Sequence, residues 1–85
     1  MTLDPVQSAR AAGLRYVTAD RPGITRTMGR LGFEYWRRGR RIRRAAELKR
    51  IARLAIPPAW TDVWICPDPR GHLQATGREA RRPKQ

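Results

Sequence analysis

The segment 33–43 contains two extended runs rich in aromatic and basic residues, joined by an Arg-Gly pair at 38–39. Such a pair predicts a two-residue hairpin turn, because glycine readily adopts the positive φ that these turns need. Pairing across the turn sets Trp36 opposite Arg41. Trp36 and Arg41 therefore lie on one face of the hairpin. The other face is apolar and must be covered by another layer of the fold. That face carries Phe33, Tyr35 and Ile42.

Two short helices are expected. The first starts at Asp4, a favourable N-cap, has Pro5 at its first position and ends near Gly13, which suits a left-handed residue. The second covers residues 45–55 and stops before the Pro-Pro pair at 57–58, which cannot continue a helix. Its apolar stripe consists of Ala45, Leu48, Ile51, Ala52 and Ala55.

Extended segments occupy much of the remaining chain. Residues 14–19 are apolar and β-branched, which favours a strand, and residues 20–23 read as a tight turn. Residues 24–32 predict a loop, with a strand at its start as the alternative, because glycines interrupt a weak alternation. A second hairpin pairs 60–66 with 72–76. The predicted fold class is α+β: a small antiparallel sheet of two hairpins, three to five strands in all, flanked by two or more short helices.

Charge limits the partners of this chain. Nineteen Lys and Arg against seven Asp and Glu give a formal charge of +12, which predicts attraction to a polyanion and excludes a cationic substrate. Lys49 and Lys84 are the only lysines, so the other seventeen cations are arginine. The planar fork of arginine suits phosphate and guanine edges, which favours nucleic acid over a generic acidic partner.

The sequence offers little catalytic chemistry. Cys66 and His72 lie across the second hairpin, but no acid nearby is placed to orient the imidazole, so a small buried thiol and a strand or phosphate-contacting histidine are the better interpretation. No zinc-binding cluster, phosphate-binding loop, signal peptide or membrane-length apolar run is present. We therefore expect a cytoplasmic protein without metal or cofactor, inactive as an enzyme by itself.

Basic side chains gather in two places. One is the first hairpin turn, where six of the eight residues 37–44 are arginine; it either contacts phosphate or is a solvated tip that protects a sheet edge. The second follows residue 77, where the chain becomes polar and is either a loose linker or a DNA contact. The candidate nucleic-acid-binding residues in these two places are Arg38, Arg40, Arg41, Arg78, Arg81, Arg82 and Lys84.

The run 54–78, Leu-Ala-Ile-Pro-Pro-Ala-Trp-Thr-Asp-Val-Trp-Ile-Cys-Pro-Asp-Pro-Arg-Gly-His-Leu-Gln-Ala-Thr-Gly-Arg, strongly resembles the N-terminal domain of bacterial type IB DNA topoisomerases, relatives of the poxvirus enzyme. The similarity extends upstream through Asp4-Pro5, residues 11–17, the Pro22-Gly23-Ile24 turn and residues 32–35. It covers nearly the whole chain.

The resemblance implies a role in DNA relaxation. Enzymes of this family nick one DNA strand through a tyrosine, let the other end swivel and reseal it, without ATP or an obligatory metal, using residues of a larger C-terminal domain. The N-terminal domain is one half of a clamp on the major-groove side of duplex DNA. Arg78, Arg81, Lys84 and Gln85 match the family's groove-contacting segment, in which Gln85 contacts a base edge, whereas Arg82 and Pro83 depart from its pattern.

The resulting expectation is a DNA-clamp domain at 1–76 and a basic segment at 77–85 that leads to a catalytic domain. Its partners are duplex DNA and that catalytic domain, and it acts as a monomer on the nucleoid. Two alternatives stay open from the sequence: a free-standing DNA-binding or regulatory module, and a basic RNA-binding protein.

Overall fold

The chain folds into a five-stranded antiparallel sheet with two helices, so the predicted α+β class is confirmed. The computed structural model describes residues 4–79. The sheet order is β3-β2-β1-β4-β5. The elements are α1 (Pro5–Ala11), β1 (Ile24–Gly29), β2 (Gly32–Arg37), β3 (Arg40–Arg41), α2 (Ala45–Arg53), β4 (Thr61–Ile65) and β5 (Ala75–Arg78).

The first hairpin has the predicted register. Trp36 pairs with Arg41, and the Ile42 N–H donates to the Tyr35 carbonyl at 2.7 Å. Arg38 and Gly39 have φ of 50° and 75°, the two positive values that a two-residue turn of this type requires.

Most of the loop predicted over 24–32 is replaced by the alternative, a strand at its start, because β1 covers residues 24–29 and is the central strand of the sheet. It pairs with β2 along its whole length and with β4 at Ile24 and Thr25. Arg26 disturbs the apolar alternation, yet its guanidinium donates to the carbonyls of Pro57 and Trp60, both at 3.0 Å. Backbone carbonyls from a segment distant in sequence therefore accept hydrogen bonds from this charged side chain, and the local sequence contains no sign of them.

The strand predicted over 14–19 does not form. Within residues 14–19, strand-like pairing is limited to a single bridge between Arg15 and Gly71. The Val17 N–H donates to Nδ1 of His72 at 3.0 Å instead of to the backbone of a neighbouring strand. The following turn is centred earlier than predicted, since the Arg21 N–H donates to the Thr18 carbonyl at 3.4 Å. A side chain thus takes the place of the neighbouring strand.

Helix α2 covers one face of the sheet. Ile51 is buried, and Leu48 and Leu54 pack beside it. The three alanines of the predicted stripe are exposed: Ala45, Ala52 and Ala55. The helix ends earlier than predicted, at Arg53, because Ala55 adopts a left-handed φ of 52°. The core cluster consists of Ile24, Ile42, Ile51, Val63 and Ile65.

The second hairpin forms, but β5 starts at Ala75 and continues through Gly77 to Arg78. The Gln74 side chain holds the preceding turn, donating to the carbonyls of Asp68 at 3.0 Å and Gly71 at 2.6 Å. The first two residues of the predicted terminal segment, 77–85, therefore lie in the sheet. The domain boundary itself stays a prediction.

The opposite face of the sheet lies away from the core cluster. Register places one row of side chains across all five strands on this face, which we call the open face. The row consists of Arg41, Trp36, Thr25, Trp64 and Thr76.

Candidate nucleic-acid interface

The β2–β3 turn presents the candidate residues Arg38, Arg40 and Arg41, all exposed. The chain reverses between Arg37 and Arg40, which pair directly, so the side chains at 38 and 40 project from the same tip. The structure therefore brings three of the predicted site residues together.

Two acids neutralise part of this cluster. Glu47 of α2 forms an ion pair with Arg37, and Glu34 of β2 pairs with Arg41 at 3.4 Å. Neither acid lies within the basic run itself, so only the fold brings these ion-pair partners next to the arginines. Within residues 4–79, the other arginines of the run have no acidic partner: Arg38, Arg40, Arg43 and Arg44.

A cavity of about 610 Å³ lies between this tip and the start of α2. We call it the arginine cavity; it is lined by Arg37, Arg38, Arg40, Arg41, Ile42, Arg43, Arg44 and Glu47. Arg43 and Arg44 were not among the candidate residues, although the unbroken arginine run was a signal for them.

The start of α2 adds positive potential to the arginine cavity. Arg44 is the N-cap residue and its side chain makes no capping hydrogen bond, so the first N–H groups of α2 lack a side-chain acceptor there. The positive end of the helix dipole and the guanidinium groups thus share one region. Glu47, in the first turn of α2, also lines the cavity and offsets part of this positive potential, and the remaining positive charge favours an anion such as phosphate.

Arg78 lies elsewhere. It ends β5 and contacts Asp62 at 3.7 Å, with side chains 80% and 74% exposed, so solvent screens this pair strongly. β3 and β5 are opposite edges of the sheet, and register sets Arg78 at the end away from the β2–β3 turn. The β2–β3 turn and Arg78 thus lie at diagonally opposite corners of the sheet. The two corners are four strand spacings apart across the sheet and three to four residues apart along the strands, which together give roughly 20–25 Å. The described candidates therefore form two groups.

Four candidate residues lie outside the described residues: Arg81, Arg82, Lys84 and Gln85. Their assignment to DNA stays a prediction from the resemblance.

Cys66 and His72 do not form a catalytic dyad. Cys66 is 1% exposed, as expected of a small buried residue, whereas the His72 ring stacks on Tyr16 with centroids 4.6 Å apart. Nδ1 of His72 accepts the Val17 N–H and is thereby occupied. The histidine thus fastens the segment after α1 to the β4–β5 turn.

The part of the chain that the structure describes contains no group of three His, Cys, Asp or Glu residues able to hold a metal ion. Over the same residues, no helix is long and apolar enough to span a bilayer.

Comparison with known proteins relates the chain to DNA topoisomerases of type IB. The chain is 46% identical over 39 residues to a DNA topoisomerase 1B of Acanthamoeba polyphaga mimivirus, a match that covers 46% of the chain and 12% of that protein. The chain thus spans a small part of this relative. No solved structure matches. The family of bacterial DNA topoisomerase IB N-terminal domains matches residues 32–79, more than half of the chain, and the chain therefore belongs to this family.

Proposed function

We propose that this chain is a DNA-clamp domain that contacts duplex DNA from the major-groove side. A catalytic domain on the opposite side of the duplex then nicks, swivels and reseals one strand. The observation that supports this proposal most is the arginine cavity, where four guanidinium groups that have no acidic partner within residues 4–79 gather beside a helix start without a side-chain cap. The chain's charge of +12 adds long-range attraction to DNA.

The β2–β3 turn holds backbone phosphate in this proposal. Arg38 and Arg40 are exposed, and each can present a planar pair of N–H donors to phosphate oxygens. Such contacts position a protein on DNA without reading its sequence. The turn therefore supplies affinity, and base recognition belongs to another part of the chain.

The segment that starts at Arg78 is the proposed groove contact. Arg81, Arg82 and Lys84 hold phosphate there, and Gln85 pairs with a base edge through its donor and acceptor. The roughly 20–25 Å between the two corners corresponds to about seven base pairs along one strand. A single duplex can therefore touch both corners.

The proposed second partner is the catalytic domain of a type IB topoisomerase. The mimivirus relative is far longer than the matched stretch, which leaves room for a catalytic domain outside it. We propose further that the chain acts as a monomer on the cytoplasmic nucleoid.

Plasmid relaxation tests the clamp role. A bacterial type IB catalytic domain without its own N-terminal domain is assayed on supercoiled plasmid with and without this chain. We expect the chain to raise the relaxation rate and to keep relaxation active at higher salt, because a second binding surface slows dissociation of the plasmid. Arg40→Ala should reduce that gain, whereas Lys49→Ala, at an exposed α2 residue, should not.

Unchanged relaxation in an assay where the chain binds the same plasmid would contradict the clamp role. It would support the free-standing DNA-binding module instead. Relaxation or nicking by the purified chain alone would contradict the assignment of catalysis to the partner domain.

A further inference from the structure

A second groove, of about 500 Å³, lies on the open face beside the β2–β3 turn. We call it the Trp64 groove. Its volume falls within the range of small-molecule sites in proteins, about 300–1,000 Å³. Its walls include Trp64, Pro22, Pro67, Arg21 and Arg38. Rings and guanidinium groups therefore face the same space.

The indole of Trp64 is held in a fixed position. Its N–H donates to the Arg21 carbonyl at 2.8 Å. The ring also lies directly against Gly23, where an added Cβ would overlap the indole nitrogen. Because the ring is already ordered, stacking a planar ligand on it costs little further side-chain entropy.

The Trp64 groove is positively charged. Arg21 and Arg38 are exposed and have no ion pair within residues 4–79, and no acid lines the groove. Arg38 also holds a φ of 50°, a conformation that asparagine or glycine adopts with less strain.

We infer that the Trp64 groove binds one unpaired nucleotide of a DNA strand, with the base stacked on Trp64 and the phosphate between Arg21 and Arg38. A stacking ring beside arginines is the common arrangement for holding single strands without sequence preference. The inference rests on the proposed DNA role and adds to it a site for unpaired DNA next to the duplex contact.

Tryptophan fluorescence of the full 85-residue chain provides the test. The probes are a short oligothymidylate, an abasic oligonucleotide of equal length and a blunt duplex. Oligothymidylate should quench the emission and the abasic strand should not, because only a base can stack on the indole. The quench should disappear in Trp64→Phe and persist in Trp36→Phe, which changes another tryptophan in the same row of the open face, on the far side of β1.

Arg38→Asn tests the phosphate contact in a turn that keeps a favourable Asn-Gly pair. Its matched control is Arg30→Asn, at an exposed arginine in the β1–β2 turn, at the other end of the sheet. We expect Arg38→Asn to weaken oligothymidylate binding about tenfold and Arg30→Asn to weaken it far less.

Equal binding of the abasic strand and oligothymidylate would overturn the inference, as would equal losses from the two arginine variants. Duplex binding, measured in parallel, tests the proposed function separately. A chain that binds duplex without the Trp64-dependent quench lacks the nucleotide site and keeps its DNA role.

Discussion

Arginine residues of this chain perform different tasks that a charge count cannot separate. Arg26 and Arg50 are internal supports: Arg26 donates to two backbone carbonyls, and Arg50 donates to the Cys66 carbonyl at 2.8 Å and to the Gln74 side chain at 2.7 Å. Arg37 is paired with Glu47, whereas Arg38 is unpaired within the described residues. Fewer cations are therefore available for the proposed DNA contact than the formal charge indicates.

A substitution at Gly77 tests whether β5 packs against Trp60 beyond residue 76, where the predicted DNA-clamp domain ends. An added Cβ there would lie 2.6 Å from Cε3 of Trp60, a side chain packed against the core. Gly77→Ala should therefore lower the free energy of unfolding by about 1–3 kcal/mol in thermal or denaturant melts, through overpacking. The control is Gly29→Ala in β1, where the new methyl meets the flexible Glu34 side chain. Equal melts for Gly77→Ala and the wild type would show that Trp60 does not pack on β5.

Arg44 occupies the N-cap of α2 without capping it. Arg44→Ser supplies a side-chain acceptor and removes a cation from the positive end of the helix dipole. We expect a gain of about 1 kcal/mol, or roughly 4–8 °C in Tm for a domain of this size. Arg43→Ser removes the same charge one residue earlier and should not provide a cap. Identical Tm shifts in both variants would attribute the gain to charge repulsion alone.

Helices and strands were predicted best where a turn or cap residue determines the local backbone conformation. The Arg-Gly pair at 38–39 fixed the hairpin register, and Asp4 caps α1 by accepting the Gln7 N–H at 2.8 Å. β1 was predicted only as the alternative to a loop, because its stability comes from strands on both sides and from distant acceptors for Arg26. Such partners are far apart in sequence and leave no local pattern.

The candidate site was predicted in part for the same reason. The arginine run located the β2–β3 turn, but its acidic partners Glu34 and Glu47 come from a neighbouring strand and from α2. Trp64 and Arg21 meet in one groove only because β4 lies beside β1, a pairing that the sequence did not indicate.

Helix α2 stabilises the sheet chiefly through Ile51, which is 2% exposed. Ile51→Ala should cost about 2–5 kcal/mol, because it removes buried methyl groups and leaves a cavity. That is a large share of the stability of a small domain, about 5–15 kcal/mol, so the variant should melt far earlier or fail to fold. Lys49→Ala, on the exposed side of α2, is the control. Superimposable melts for Ile51→Ala and the wild type would mean that this face of α2 is misassigned.

Across the whole molecule, the sheet carries basic groups at two diagonal corners, with a row containing Trp36 and Trp64 between them on the open face. In the proposed DNA role, a duplex would touch both corners of this one sheet. Affinity should then come mainly from phosphate and fall steeply with salt, because each contact releases condensed counterions.

The salt dependence of duplex DNA binding by this chain tests the proposed DNA role most directly. In fluorescence anisotropy titrations at several salt concentrations, four to six phosphate contacts predict a slope of log K against log salt of roughly −3.5 to −5.5. Arg40→Ala should lower the slope magnitude by about one, and Lys49→Ala should leave it nearly unchanged. A slope near zero, or no duplex binding at low salt, would contradict the DNA-clamp role.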